Sequence, residues 1–257
     1  MKSKEDIVKN WLPRYTGTDL EEFGSHILLT NFPDYVNKFA KKFSVPVRGT
    51  GKTMQTATNK DGLTIINFGM GSANAATIMD LLTAVNPEAV LFLGKCGGLK
   101  KSTEIGHFIL PMAAIRGEGT SNDYLPAEVP AMPSFKLHKF VSQKIVERSL
   151  EYRTGVVYTT NRRVWEYDDS FKQKLIDLRA LAIDMETATI FLVGLHNEIS
   201  RGALLLVSDV PMTPEGVKTD ESDQKVNQNW VDVHLDLGIE AMTDIGTAGE
   251  KIKHFHY

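Results

Sequence analysis

The stretch LTIINFGMGSANAATIMDLLTAV, residues 63–85, decides the fold class of this chain. Its β-branched and aliphatic residues predict a strand over Leu63–Phe68, and the apolar segment that follows predicts a helix over Ala73–Val85. Gly69 and Gly71 lie between the two and permit a sharp turn with a close backbone approach. A strand that turns directly into a helix is typical of an α/β fold.

The same alternation of strands and helices continues along the chain. Further strands are predicted over His26–Thr30, Thr53–Thr58, Ala89–Leu93, His107–Ala114, Tyr152–Thr159, Ala180–Ile183 and Gly202–Val207. Further helices are predicted over Ile7–Leu12, Pro33–Phe43, Ser134–Ser149, Ser170–Leu178, Glu186–Asn197 and about Ser222–Ile245. We therefore expect one three-layer α/β/α domain over residues 1–257, with a central mixed β-sheet and a helical lead-in over residues 1–24.

Composition excludes several functional classes. The chain has 257 residues, and its 29 basic against 32 acidic side chains argue against binding of nucleic acid or an anionic membrane by bulk charge. One cysteine, Cys96, excludes an internal disulfide and a multi-cysteine metal site. The start MKSKEDIVKN lacks the apolar core of a signal peptide, and no apolar stretch approaches the roughly 20 residues of a membrane span. We expect a cytoplasmic protein without metal or cofactor.

Two glycine-rich segments lie at predicted strand ends, where ligands collect in α/β sheets. The N–H groups that follow Gly71 could bind an oxygen or an anion, although a GxG turn is more often simple punctuation between strand and helix. The second segment is FLGKCGGL, residues 92–99, with three glycines in five positions. Either a ligand or a neighbouring strand end requires that close backbone approach.

Two carboxylates also follow predicted strands. Glu186, in DMETA (residues 184–188), either complements a helix dipole or accepts the vicinal hydroxyls of a ribose, with Met185 as an apolar wall. Asp209, in VSDVP (residues 207–211), either forms a turn or, partly buried, transfers a proton to a leaving group.

These segments, GMGSANA, FLGKCGGL, DMETA and VSDVP, resemble in order and spacing the nucleoside phosphorylase and nucleosidase family, whose members have a central mixed sheet and ribosyl-transfer chemistry. Residues 114–126 are similar to the substrate-side segment of uridine-phosphorylase-like members. RYTGTD (14–19), LLTNF (28–32), FLGKCGGL and TNRRVWE (160–166) are similar to the branch that hydrolyses AMP. The resemblance implies cleavage of AMP by water into adenine and ribose 5-phosphate.

The resemblance also implies roles for individual residues. Asp209 would protonate purine N7, Glu186 would accept the 2′- and 3′-hydroxyls, and Met185 would form the ribose wall. Gly71 and Thr160 lie in matching segments and join the predicted substrate-binding residues.

The chain departs from the family pattern at the positions that bind inorganic phosphate. Where phosphorylases hold inorganic phosphate with a glycine and two arginines, this chain has Asn31, Tyr35 and Phe92. A phosphate nucleophile needs cations and water does not, so hydrolysis is favoured. A purine or uridine nucleoside phosphorylase remains the alternative, and a catalytically silent nucleotide sensor is a third hypothesis.

Four cations near predicted strand ends together suit a 5′-phosphate on the substrate, although each alone is more often a solvated surface charge. They are Arg48, Lys95, Arg162 and Arg163, of which Arg163 and Arg48 rank above Arg162.

Other side chains have open assignments. Trp165 either stacks on adenine or packs in the core or an interface. Asn31 could orient water, and Asp34 could deprotonate it. The segment Glu118–Ser121, with Thr120, could close the base or phosphate side.

The resemblance extends to assembly. Val47–Gly49 matches the segment through which a neighbouring subunit's arginine reaches the site in oligomeric relatives. We expect a homo-oligomer, a hexamer arranged as a trimer of dimers, with AMP as its small-molecule substrate. The family-like sequence begins at Arg14, so no amino-terminal regulatory domain is expected.

Overall fold

A computed structural model describes residues 2–247 of the chain. Eight strands form one mixed sheet in the order β2-β3-β1-β4-β7-β6-β5-β8. The strands are β1 (His26–Thr30), β2 (Gln55–Thr58), β3 (Leu63–Asn67), β4 (Ala89–Gly98), β5 (Phe108–Gly117), β6 (Tyr152–Thr160), β7 (Ala182–Asp184) and β8 (Arg201–Asp209). The predicted fold class is therefore confirmed.

Helices cover both faces of this sheet. They are α1 (Lys4–Thr16), α2 (Pro33–Phe43), α3 (Ser72–Leu81), α4 (Phe135–Glu147), α5 (Asp169–Asp177), α6 (Thr187–His196), α7 (Asp220–Asn229) and α8 (Val231–Thr247). Successive strand residues alternate between two cores because side chains of a strand point to opposite faces. Ile27 and Leu29 pack with α1, α3 and α6, whereas Leu28 packs with α2, α4 and α8.

The sheet closes on itself around β4. This strand pairs with β1 through its first half, with β8 along most of its length, and with β7 at Gly97 and Gly98. A Cβ at Gly97 would lie 2.9 Å from Pro211, and one at Gly98 would lie 2.6 Å from Thr103. These two glycines therefore serve the packing of strand ends. A register shift between Cys96 and Gly97 sets Gly97 opposite Asp209.

Several elements differ from their predicted bounds by a few residues, and two of these differences bear on the site. The glycine-rich residues 94–98 continue β4 because β8 and β7 both supply backbone partners there. The single helix predicted over about Ser222–Ile245 is two helices, α7 and α8, interrupted at Trp230. The indole of Trp230 packs against Gly106, where a Cβ would lie 2.4 Å from the ring. The one-domain organisation and its lead-in, which contains α1, stay predictions; residue 1 and residues 248–257 lie outside the described part.

We predict that the folded protein loses stability in acid, because two of its histidines are buried. His234 donates from Nε2 to the Leu204 carbonyl and accepts from Tyr35 at Nδ1, and His138 accepts from the Ala203 amide at Nε2. Burial lowers the pKa of each to about 3. The unfolded state, with a histidine pKa of about 6.5, binds these protons first, so stability falls below that pH by about 1.4 kcal/mol per pH unit for each histidine.

Urea unfolding at pH 6 and pH 5 measures this effect. His138→Gln keeps an acceptor for the Ala203 amide and is expected to lose less stability between these pH values than the unmodified protein. Equal losses in the two proteins would contradict a neutral buried His138.

Candidate active site

A cleft of about 630 Å³, including its part open to solvent, lies at the carboxyl ends of β1, β4, β6, β7 and β8. Of the candidate residues that the sequence indicates, those that line the cleft are Asn31, Lys95, Thr160, Arg162, Arg163, Trp165, Met185, Glu186 and Asp209. Strand ends that are distant in sequence thus bring these side chains together, as expected for ligand sites in α/β sheets. Gly71 and Arg48 are not among the described residues that line it.

Asp184 anchors the acidic part of the cleft. It ends β7, and its carboxylate accepts hydrogen bonds from the Thr159 hydroxyl at 2.7 Å and the Thr187 amide at 2.7 Å. These donors favour the ionised form, although burial raises the pKa of Asp184. A buried carboxyl group that these donors hold in place therefore lies beside Glu186.

Glu186 is a buried acceptor with a perturbed pKa. Burial first, and then the charge of Asp184, raise the pKa of Glu186, while hydrogen bonds from Gly71 and Asn31 oppose that rise. Hydroxyl donors or a developing positive charge in the cleft would favour its ionised form. The Glu186 carboxylate accepts a hydrogen bond from the Gly71 amide at 2.7 Å, at the start of α3. Glu186 also precedes α6, so it does more than complement the dipole of that helix.

Gly71 contributes differently from expectation. Gly71 is predicted to bind substrate, whereas in the structure its N–H donates to the Glu186 carboxylate. Its φ of +96° is a backbone conformation that favours glycine. Gly71 therefore holds Glu186 in position and does not line the cleft.

Asp209 lies at the end of β8 with a raised pKa. Burial is the main cause, opposed by a hydrogen bond from the Ser208 hydroxyl at 2.7 Å and by the charges of Lys218 and Arg163. A carboxyl whose protonated form is favoured by burial can donate a proton to a ligand in the cleft.

The cations differ in their partners. Arg162 pairs with Asp168 at 3.0 Å and Arg163 with Glu166 at 3.3 Å. Lys95 is buried against Asp223 at 2.9 Å. Arg48 lies elsewhere and pairs with Glu22 at 2.8 Å.

Sequence reasoning missed one cation of the cleft, Lys218, which pairs with Asp223 at 2.8 Å. It belongs to no motif, and only the path of the chain after β8 brings it there.

Trp165 lines the cleft and also belongs to the core. It is buried, and its ring meets Phe171 edge to face at a centroid distance of 5.5 Å, in a cluster with Tyr158 and Leu175. This packing supports the core alternative and fixes the indole as part of a rigid wall.

Other candidates fall outside the cleft. The Glu118 carboxylate accepts from the Ser121 amide and the Thr189 hydroxyl, and Thr120 bonds Ser72, so this segment stabilises a loop. Asp34 is exposed in the first turn of α2.

Two kinds of feature are absent from the described part of the chain. Within residues 2–247 no group of histidine, cysteine and acidic side chains could hold a metal ion. In the same range, no helix has the length and apolar character needed to cross a bilayer.

Comparison with known proteins identifies the family to which the chain belongs. The model of the phosphorylase superfamily matches residues 25–249. AMP nucleosidase from Escherichia coli K12 is 30% identical over 94% of this chain, which spans 59% of that relative's length. Uridine phosphorylase from Treponema pallidum is 25% identical over 75% of this chain and 80% of the relative.

Solved structures agree. AMP nucleosidase from Bacteroides thetaiotaomicron has a TM-score of 0.86 and 51% identity, covering 96% of this chain and 99% of that one. Uridine phosphorylase from Vibrio fischeri shares the fold at a TM-score of 0.76, with 23% identity over 88% of this chain and 94% of that one. The chain therefore belongs to the phosphorylase superfamily and groups within it with the AMP nucleosidases.

Proposed function

We propose that this chain hydrolyses the N-glycosidic bond of AMP and releases adenine and ribose 5-phosphate. The observation that carries the proposal is the meeting in one cleft of Asp209, whose pKa is raised, with the buried acceptor Glu186. The 51% identity to an AMP nucleosidase of similar length supports AMP as the substrate.

Asp209 acts as the general acid. Breaking the bond between C1′ and N9 moves an electron pair onto the purine and leaves positive charge on the ribose. Asp209, whose protonated form is favoured by burial, donates its proton to N7 and stabilises the departing base. The water oxygen bonds to C1′ and that water releases one proton to solvent, from which Asp209 regains the proton it gave to the base.

Glu186 acts as the sugar clamp. Its carboxylate accepts the 2′- and 3′-hydroxyls, and its negative charge stabilises the oxocarbenium-like ribose. Met185, beside it, forms the apolar wall of the sugar site. Thr160, at the end of β6, lines the same cleft and completes the proposed substrate contacts.

Water is favoured over phosphate as the nucleophile. Tyr35 and Phe92, at two positions where phosphorylases have arginines, are both buried in the apolar cores. Asn31 lines the cleft, and its side chain hydrogen-bonds Glu186. We assign Asn31 to orienting the water, because Asp34 is exposed and is not among the described residues that line the cleft.

The assay that tests this function compares substrates. Purified protein is expected to convert AMP into adenine and ribose 5-phosphate and to cleave adenosine far more slowly, as chromatography of both products would measure. Rapid cleavage of adenosine or uridine with AMP untouched would contradict the proposal.

Assembly is also proposed. Arg48 has a half-exposed side chain away from its own cleft, which supports a role in a neighbouring subunit's site within a cytoplasmic homo-oligomer, a hexamer of three dimers. Mixing tests this prediction: Arg48→Ala and Asp209→Asn subunits, each impaired alone, are expected to recover activity when they reassemble together. Sedimentation must report hexamers in every sample. Mixed hexamers without recovered activity would contradict the shared site.

A further inference from the structure

Two lysines converge on a single carboxylate at one side of the cleft. The ammonium of Lys95, from β4, lies 2.9 Å from Oδ1 of Asp223, and the ammonium of Lys218 lies 2.8 Å from the same oxygen. The ring of Phe32 lies 4.5 Å from the first ammonium and 6.0 Å from the second. These four side chains form one compact group, here named the lysine pair site.

The lysine pair site carries excess positive charge. Within hydrogen-bond distance, Asp223 supplies one negative charge for two ammonium groups, and the other hydrogen-bond acceptor of Lys95 is the neutral amide oxygen of Asn227 at 2.7 Å. Burial lowers the pKa of Lys95, whereas hydrogen bonds from both lysines hold the pKa of Asp223 below its usual value despite its partial burial. A second negative charge would be stabilised here.

The arginines of the cleft differ from this pair. Arg162 and Arg163 each have a carboxylate partner of their own, and their side chains are 41% and 56% exposed. The side chains of Lys95 and Lys218 are 3% and 22% exposed, so solvent screens their charges less.

A phosphoryl dianion matches this arrangement. It brings two negative charges and several acceptor oxygens, whereas a carboxylate brings one charge. We propose that Lys95 and Lys218 bind the 5′-phosphate of the nucleotide and that Asp223 occupies the position of this anion before the substrate enters. The proposal rests on the proposed function in taking the phosphate to be part of a nucleotide. It makes Lys218 a specificity-determining residue.

The carboxylate of Asp223 lies outside the cap of its helix, so Asp223→Asn leaves that cap unchanged. The amino terminus of α7 is capped by Thr219, whose hydroxyl accepts from the Ser222 amide, and the Asp223 amide donates to the Thr219 carbonyl. The carboxylate of Asp223 takes no part in this cap. Asp220, exposed in the same turn, offers a matched control of equal charge change.

Calorimetric titration with ribose 5-phosphate tests the proposal without any turnover. Asp223→Asn removes the competing anion and is expected to tighten binding by about tenfold, the equivalent of one charge-assisted hydrogen bond at the lower end of its range. Asp220→Asn is expected to change it by less than about twofold, since an exposed charge contributes little. Lys218→Gln is expected to weaken binding by about tenfold or more, whereas Lys225→Gln, which removes an exposed lysine of α7, leaves it nearly unchanged.

The following results would contradict the proposal. Binding by Asp223→Asn that is no tighter than binding by Asp220→Asn would overturn the displacement, and equal effects of the two lysine variants would overturn the site. A second arm supplies adenosine with inorganic phosphate. Lys218-dependent formation of ribose 1-phosphate, with ribose 5-phosphate binding unchanged in Lys218→Gln, would assign the site to free phosphate and contradict the proposal. Ribose 5-phosphate binding does not require hydrolysis, so the outcome is separate from that of the AMP assay.

Discussion

Asp209→Asn is expected to lower kcat for AMP by about 10²–10⁴-fold while KM changes little, because the variant keeps the shape of the side chain and loses its proton. The acid acts only as the bond breaks, so its loss affects the transition state more than the bound substrate. Steady-state kinetics measure both constants. A variant that retains more than about a tenth of the turnover would contradict general acid catalysis of this magnitude.

The role of Asp209 as an acid also predicts the direction in which activity changes with pH. Burial raises the pKa of Asp209, and the acid must be protonated, so activity falls as pH rises through that pKa. Ser208→Ala removes a hydrogen bond that favours the ionised form and is expected to move the alkaline limb to higher pH. In Asp209→Asn that limb should disappear; a limb that persists unchanged would assign it to another group.

Glu186→Ala is expected to lower kcat/KM for AMP by about 10²–10³-fold, the usual effect of removing one preorganised electrostatic contact to a transition state. The carboxylate is buried beside Asp184, where a charge interacts strongly with a developing cation. Glu186→Gln is the matched control, since it retains an acceptor oxygen for the Gly71 amide and loses only the charge.

Substrates that lack a ribose hydroxyl separate the clamp from a general structural role. With unmodified protein, 2′-deoxy-AMP is expected to react far more slowly than AMP. With Glu186→Ala this difference should shrink, because the missing hydroxyl has no acceptor to lose. An undiminished difference would show that another residue receives the hydroxyl.

Local signals in the sequence predict much of the fold. The strand over His26–Thr30 and the helix over Pro33–Phe43 have their predicted bounds because apolar periodicity and flanking punctuation agree there. The rule that ligands bind at the carboxyl ends of strands also predicts that Glu186 and Asp209 meet in one cleft.

Contacts between distant segments were beyond prediction. Asp184 shapes the pKa of Glu186, yet its anchor is Thr159, 25 residues away on a neighbouring strand. The Gly71 amide donates a hydrogen bond to the Glu186 carboxylate, 115 residues away in the sequence. Lys218 enters the cleft through an irregular segment after β8, which has no periodic pattern to interpret. Such partners depend on tertiary packing, which local propensity does not encode.

The rate of adenine release from AMP, measured with and without inorganic phosphate, tests the central claim most directly. Hydrolysis predicts adenine and ribose 5-phosphate at a rate that does not require phosphate, because water supplies the nucleophile. Release that requires inorganic phosphate, or a cleft that leaves AMP intact while adenosine and phosphate yield ribose 1-phosphate, would contradict it.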